Sequence, residues 1–391
     1  MGGREILVGV AGAGTMGAGI AQVAAAAGNE VVLLDVNGDV LSSALKRIED
    51  NLARQVEKGK MSREIADAIR TRISTGVGIS RVSRCDFVVE AISENLKAKQ
   101  DLLYTIEEAV STECILGTNT SSLSVTSIAS ILRNPSRCLG VHFFNPAVAM
   151  PLVELVRTGT TSDETFNQAR ALLQSWGKIA VAAKDTPGFI VNRITRPFYL
   201  EALKIHEEGA ADIATIDWAM RECKGFKMGP FELMDLIGND INYAVSESIF
   251  AALHYEPRFK PSPLQHKLVK AGLFGRKSGK GFYNYQPGAP KPQPREDRAF
   301  GEKISHRILL MILNEAADAL SNMISSIEEI DLAMVKAASY PRGPLQWADE
   351  IGIQQVVSGL EALRDEFGDD RYRPTPLLKR MVKTGERFYT Q

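Results

Sequence analysis

The stretch Ile6-Leu7-Val8-Gly9-Val10-Ala11-Gly12-Ala13-Gly14-Thr15-Met16-Gly17 sets an apolar strand, residues 6–10, directly against a turn with three glycines. Residues 19–27 then read as a small-residue helix ending at Gly28, and residues 30–35 as a second strand that closes on an acid. Strand, glycine turn, helix, strand and acid in this order form the dinucleotide-binding pattern. The glycines permit a tight turn, let a pyrophosphate approach the backbone of Gly12, Gly14, Thr15, Met16 and Gly17, and pack helix on strand. The N–H groups and dipole at the helix start favour an anion there. Asp35, 18 residues beyond the last glycine, stands where the ribose hydroxyls of NAD are bound. Neither Val36 nor Asn37 offers the positive charge that a 2′-phosphate wants, so NAD is expected over NADP. A flavin or an unused Rossmann-like fold are the other outcomes this pattern allows.

Strand–helix alternation continues from there. Residues 40–58 and 62–72 are long amphipathic stretches that exceed a usual crossover and are expected to project from the sheet. Residues 87–91 read as a buried parallel strand with residues 95–110 as its helix. Residues 115–118 read as another strand, running into the hydroxyl-rich turn Asn119-Thr120-Ser121-Ser122. Loops at the carboxyl ends of parallel strands are where such sheets bind ligands. Glu94, Ser121 and His142 all fall at such ends, so shared strand polarity is expected to gather them. For Ser121 and Ser122 the plain alternative is capping of a helix over residues 125–132.

The segment GVHFFNPAVAMPLVELV, residues 140–156, holds one histidine at the end of an apolar run, an Asn-Pro turn, and one carboxylate inside the next run. Two strands here bring His142 beside Glu154. A carboxylate that accepts from one ring nitrogen fixes the tautomer and leaves the other nitrogen to act as a base. A buried histidine merely satisfied by a nearby acid is the structural alternative.

Residues 179–183 read as the last strand, and the Lys184-Asp185-Thr186-Pro187-Gly188 turn marks a boundary, giving a first domain of residues 1–184. Helices follow at 192–208, 215–220 and 232–249, making a second domain of residues 185–286 for substrate binding or dimerisation. A Pro-rich linker spans 287–297. Residues 298–391 repeat the helical pattern: Arg193-Ile194 recurs as Arg307-Ile308, Glu201-Ala202 as Glu315-Ala316, Ile216-Asp217 as Ile330-Asp331, and Gly229-Pro230 as Gly343-Pro344, each offset by 114 residues. The Asn192 position holds His306 in this copy. The fold class expected is thus an α/β Rossmann-type doubly wound sheet followed by two all-α helical domains related by an internal repeat. The second copy is expected to replace, within one chain, a contact that a dimer partner otherwise makes.

At 391 residues, 45% hydrophobic and 24% charged, the composition is that of an ordinary soluble protein with a sizeable core. A net charge of -1 gives no reason to expect nucleic acid or an anionic membrane as partner. Cys85, Cys114, Cys138 and Cys223 show no C-x-x-C pair and no metal-ligand spacing, so buried thiols in a reducing compartment and no metal are expected. Met1 is followed almost at once by a strand, which leaves no room for a signal or transit segment; a cytoplasmic location is expected.

With these residues assembled, the chain resembles the 3-hydroxyacyl-CoA dehydrogenase family. GAGTMGAGIAQ, FVVEAISENLKAKQDLL, NTSSLSVTSIA, GVHFFNPAVAMPLVELV and TPGFIVNRI match its signatures in its order, over residues 4 to about 285. The resemblance implies that His142 is the base that takes the proton from a substrate 3-hydroxyl, and that Glu154 holds its ring. It implies that Ser121 and Asn192 hydrogen-bond the oxygen at the reacting centre. It also places Asp35, Glu94, Lys99, Asn145 and Lys277 around NAD. For Asn145 the plain alternative is turn formation, and for Lys99 and Lys277 a solvated surface position. The family's coenzyme A contacts, a serine and a lysine, fall on Asn51 and Lys58; the change to Asn51 puts that contact in doubt.

The function expected is NAD-dependent oxidation of (S)-3-hydroxyacyl-CoA, for instance 3-hydroxybutyryl-CoA or 3-hydroxyadipyl-CoA, in fatty-acid β-oxidation or short-chain acyl-CoA metabolism. The alternatives are a dehydrogenase of a free hydroxy acid or sugar acid on the same fold, and a non-catalytic NAD-binding structural protein. The partners expected are an acyl-CoA substrate and a separate enoyl-CoA hydratase or thiolase. A homodimer and a pseudo-dimeric monomer through the helical domains both stay open.

Overall fold

The computed structural model describes residues 6–389, and the chain divides into two compact units at Thr186–Pro187. Met1, on which the expectation of a missing leader rests, lies outside the described residues, as do the outer ends of the first and last expected domains.

The first unit runs β1 (Leu7–Ala11), α1 (Thr15–Ala26), β2 (Glu30–Leu34), α2 (Gly38–Glu57), α3 (Arg63–Thr71), β3 (Ile73–Gly76), β4 (Phe87–Glu90), α4 (Leu96–Ala109), β5 (Ile115–Thr118), α5 (Val125–Ala129), β6 (Cys138–Phe143), β7 (Leu152–Arg157), α6 (Asp163–Ser175) and β8 (Ile179–Lys184). The strands form one sheet in the order β3-β2-β1-β4-β5-β6-β7-β8, in which only the β6–β7 pair is antiparallel. Chain order reverses at β1, between β2 and β4, which opens the ligand crevice of doubly wound sheets at the carboxyl ends of β1 and β4.

Both faces are covered, so the central strands are continuous apolar runs whose alternate residues serve opposite layers. Phe87 and Val89 point into a cluster with Ile20, Ile48, Ile69 and Trp176, while Val88 points into another with Leu103, Ile106 and Ile128. The helices over residues 38–71, expected to project, instead bury Leu41, Ala44, Ile48, Leu52, Ala66 and Ile69 in the first of these layers. Helix α1 begins at Thr15 rather than residue 19, because Gly17 and Gly19 lie within it. Strand β3 and helix α6 were not expected. β3 is short and polar, whereas α6 carries a plain start signal in Ser162, whose side chain accepts from Thr165 N–H.

The second unit is helical: α7 (Val191–Ile194), α8 (Arg196–Glu207), α9 (Ile213–Lys224), α10 (Pro230–Ile237), α11 (Asn239–Ala252), α12 (Pro263–Lys270), α13 (Arg298–Ser321), α14 (Ile327–Ala337), α15 (Pro344–Ile351), α16 (Ile353–Phe367) and α17 (Pro376–Thr384). The expected helix over 232–249 is broken at Gly238, whose φ of +105° turns the chain between α10 and α11. The sequence separates residues 185–286 from 298–391; in the structure both copies share one compact unit.

Their local chemistry repeats. Asp217 accepts from Phe231 and Glu232 N–H at the start of α10, and Asp331 accepts from Leu345 and Gln346 N–H at the start of α15. The carboxylates thereby satisfy helix-terminal donors that lack intrahelical partners.

The copies also join reciprocally. Arg193 of the first donates to Glu315 of the second at 2.6 Å, and Arg307 of the second donates to Glu201 of the first at 2.6 Å. Arg258 reinforces Glu315 at 3.1 Å, as Arg371 does Glu201 at 3.6 Å. Equivalent residues exchanging one contact is the pattern of a two-fold interface, realised here inside one chain. Both carboxylates are fully buried, and each arginine keeps a second acid, Asp318 for Arg193 at 2.7 Å and Glu208 for Arg307 at 2.8 Å, so removing Glu201 or Glu315 strips the cation of one of two partners. Glu201→Ala and Glu315→Ala are each expected to lose about 2–3 kcal/mol in urea unfolding, less than for a charge left wholly unpaired. Loss from only one of them would contradict the reciprocal role.

Candidate active site

The glycine turn is shaped by close approach. Gly12 has φ of +105°, and a Cβ there would meet the Ala91 carbonyl oxygen at 2.6 Å; a Cβ on Gly17 would sit 1.7 Å from the Gly12 oxygen. Gly14, between them, has open space around its Cβ position, which leaves its backbone accessible at the start of α1. Asp35 Oδ2 accepts from Ala13 N–H at 2.8 Å, so the acid after β2 braces the loop it is expected to serve with. Arg47, which the sequence reading passed over, donates to the Ala13 carbonyl at 2.7 Å. Val36 is exposed, and Asn37 caps α2 through Asp39 N–H.

A buried ion network lies under the next loops. Glu90, at the end of β4, is fully buried; its carboxylate accepts from Lys99 Nζ at 2.7 Å, Thr118 Oγ1 at 2.6 Å and Ile92 N–H at 2.7 Å. Lys99 also pairs with Glu94 at 3.3 Å. The surface alternative for Lys99 is therefore ruled out: it is 1% exposed and holds two carboxylates. Its ammonium is spent on Glu90, Glu94 and the Ile92 carbonyl, so any part in cofactor binding runs through Glu94. Glu94 in turn accepts from Thr120 Oγ1 at 2.6 Å, Ser121 N–H at 2.9 Å, and Ser122 N–H and Oγ at 3.0 Å. Burial pushes its pKa up, but the Thr120 hydrogen bond, the Lys99 charge and the serine donors outweigh burial and hold it below the usual glutamate range.

The capping alternative for Ser121 and Ser122 does not hold: the cap is Ser124, which accepts from Ser127 N–H, with Asp185 accepting from Val125 and Thr126 N–H. Ser121 and Ser122 face Glu94 instead. Asn119 Oδ1 accepts from Phe143 N–H at 2.9 Å and ties this turn to the end of β6.

At that end stands His142. The antiparallel register sets His142 directly opposite Glu154, and Nδ1 lies 2.7 Å from Glu154 Oε2. His142 is 5% exposed and Glu154 fully buried, with the Phe144 ring 4.5 Å from the imidazole. The intervening turn, which includes the exposed Asn145 and its cis bond to Pro146, is stapled by Lys178, donating to the Ala147 and Met150 carbonyls at 2.6 and 2.8 Å. Thus Glu94 and Ser121, on the loops after β4 and β5, and His142, near the end of β6, lie toward the carboxyl ends of three adjacent strands.

Asn51, on α2, accepts at its side-chain oxygen from Gln22 Nε2 at 2.9 Å, while Lys58 follows the end of that helix, exposed. Two further expected residues belong to the second unit. Asn192 lies on α7, half-buried, and its carbonyl accepts from Arg196 Nε at 2.9 Å. Lys277 pairs with Asp240 at 2.7 Å. Among the described residues no His, Cys, Asp or Glu cluster could hold a metal, and no helix is long and apolar enough to cross a membrane. Cys85, Cys114 and Cys138 are buried thiols whose pKa burial pushes up to about 12.

Comparison with known proteins agrees with this geometry. The sequence profile described as "3-hydroxyacyl-CoA dehydrogenase, NAD binding domain" matches residues 7–186, and that for the family's C-terminal domain matches twice, over residues 188–285 and 304–388. An Escherichia coli K12 protein named 3-hydroxyadipyl-CoA dehydrogenase is 35% identical, with 95% of this chain and 96% of that protein covered. The mitochondrial hydroxyacyl-coenzyme A dehydrogenase of Sus scrofa is 43% identical, over 71% of this chain and 90% of that protein. The crystal structure of a 3-hydroxybutyryl-CoA dehydrogenase from E. coli K12 superposes with a TM-score of 0.93 at 34% identity, over 98% of this chain and 99% of that one. The chain belongs to the 3-hydroxyacyl-CoA dehydrogenase family. It is thereby an oxidoreductase acting on a CH–OH group, with the family's NAD-binding domain at its N-terminal side.

The ion network makes its own prediction. Lys99→Met leaves Glu90 buried without its cation and is expected to lower stability by about 3 kcal/mol. It should also weaken NADH binding, since Glu94 loses its partner. Thermal unfolding and NADH titration check both, and a variant unchanged in the two would remove Lys99 from the account.

Proposed function

We propose that the chain oxidises (S)-3-hydroxyacyl-CoA thioesters with NAD, His142 acting as the base. The observation that carries this reading is the 2.7 Å bond between His142 Nδ1 and the buried Glu154 carboxylate. With Nδ1–H donated to Glu154, Nε2 is the nitrogen that accepts the proton of the substrate 3-hydroxyl. Glu154 offsets the positive charge that then develops on the ring, with most effect in a site poor in water. Ser121 and Asn192 orient the oxygen at C3. NAD, when bound, accepts the hydride from C3.

The residues present fit that cofactor. The open Gly14 backbone at the start of α1 suits a pyrophosphate, Asp35 suits the ribose hydroxyls, and the uncharged Val36-Asn37 pair favours NAD over NADP. Glu94, Asn145 and Lys277 complete the proposed cofactor set, and Lys58 with the Asn51 amide group the coenzyme A contact. The names of the relatives make 3-hydroxyadipyl-CoA and 3-hydroxybutyryl-CoA the first substrates to test. The engagement of Asn51 with Gln22 favours one competing reading, oxidation of a free hydroxy acid without the coenzyme A moiety.

NADH oxidation with acetoacetyl-CoA against free acetoacetate separates the two, and turnover on the free acid alone would overturn the thioester reading. His142→Ala is expected to lower kcat by roughly a hundred- to ten-thousandfold with NADH affinity little changed. Near-normal turnover would exclude histidine as base. Asp35→Ala should weaken NADH and narrow its preference over NADPH, and unaltered selectivity would reject the ribose assignment.

A further inference from the structure

Arg196 opens α8 one helical turn beyond Asn192 and is 3% exposed. Among the described residues no carboxylate pairs with it. Its Nε donates to the Asn192 carbonyl at 2.9 Å, its Nη1 to the Asn242 carbonyl and Ser246 Oγ at 3.2 Å each, and its Nη2 makes one long bond, 3.4 Å, to Thr195 Oγ1. The Tyr199 ring lies 4.9 Å from the guanidinium carbon. Neutral acceptors stabilise a buried cation only in part, and a charge left without a counter-ion is costly. Two N–H groups on Nη2 share a single weak bond, so the fork has donor capacity to spare.

A second group is also unspent. Tyr340, from the second helical copy, is 5% exposed, and its hydroxyl has no hydrogen-bond partner among the described residues. It lies within electrostatic reach of Arg196, as does Tyr199, and burial holds the guanidinium's pKa below the ordinary arginine value.

The fold does not require these polar groups. The internal repeat provides the comparison, since the positions of Thr195, Arg196, Tyr199, Asn242 and Ser246 are held in the second copy by Leu309, Leu310, Leu313, Val356 and Leu360. All five are buried in its core. The same bundle position therefore packs as plain hydrocarbon in the second copy. The Tyr340 position is likewise Phe226 in the first copy.

We propose that Arg196, together with the Tyr340 hydroxyl, receives the terminal carboxylate of a dicarboxylic acyl chain and so sets the substrate class. This rests on the proposed function, in which Asn192 meets the oxygen at C3. One helical turn, about 5.4 Å, separates Asn192 from Arg196 along the axis, which is comparable with the span from C3 to the far carboxylate of a six-carbon chain. An anion arriving there supplies the missing counter-charge, and a methyl terminus leaves the cation as it was. Discrimination of this kind is strong because the buried polar group goes unmet by the wrong chain.

The test compares two six-carbon thioesters, 3-hydroxyadipyl-CoA and 3-hydroxyhexanoyl-CoA, by kcat/KM with NAD. Wild-type enzyme should prefer the dicarboxylic substrate. Arg196→Leu, the residue type that the second copy carries, should lose about ten- to hundredfold on it while keeping its rate on the hexanoyl thioester. Tyr340→Phe, which leaves the packing in place, should lose several-fold on the dicarboxylic substrate alone, mainly in KM. Equal loss on both thioesters, as from a residue that only supports Asn192, would overturn the proposal, and so would a wild-type enzyme without preference. Turnover on neither thioester would instead sink the thioester reading, and this inference with it.

Discussion

Everything the site can do depends on one hydrogen bond between two strands that run in opposite directions. In an otherwise parallel neighbourhood, β6 and β7 form the antiparallel pair that places His142 and Glu154 directly opposite one another. Residues so paired have Cβ atoms only about 5 Å apart and share a face of the sheet. The strand ladders fix the two side chains with little freedom to drift, and burial strengthens their interaction. Lys178 holds the turn between the strands from outside the pair, through two carbonyls rather than through the imidazole. The imidazole of the proposed base is thus oriented by backbone geometry first and by chemistry second.

A comparable economy governs the loops around it. A single cation, Lys99, neutralises the buried Glu90 and steadies Glu94, whose other oxygen collects donors from Thr120, Ser121 and Ser122. Glu90 anchors the network at the carboxyl end of β4, and Thr118 joins it from β5. The turn that carries Ser121 is therefore organised from beneath by charge, while Asn119 links it to the strand that ends at His142. Changes in this network are expected to be felt in both stability and binding.

Much of this was legible in the sequence because the signals were local. The glycine turn, the acid after β2 and the two apolar runs around the Asn-Pro turn each carry their signal within a few residues, so the structure's bracing of the glycine turn by Asp35 and its pairing of His142 with Glu154 follow from local pattern. The repeat at a constant offset was equally plain. What the sequence hid were partnerships between distant residues. Lys99 sits on an amphipathic helix and looks solvated until Glu90, on a neighbouring strand, is brought beneath it. Ser122 looks like a helix cap until Glu94 claims it and Ser124 takes that role. Gly238 breaks a periodic stretch that seems continuous, and the polar surroundings of Arg196 become visible only when Asn242 and Ser246 fold back onto it from α11.

The claim that Glu154 fixes the tautomer of His142 is the centre of this account, and ring-nitrogen NMR tests it most directly. With histidine labelled by 15N and the signals assigned by loss in His142→Ala, the neutral form of His142 is expected to carry its proton on Nδ1 and none on Nε2. A proton resident on Nε2, with Nδ1 as the bare nitrogen, would contradict the account, because the nitrogen facing the substrate would then be unable to act as base.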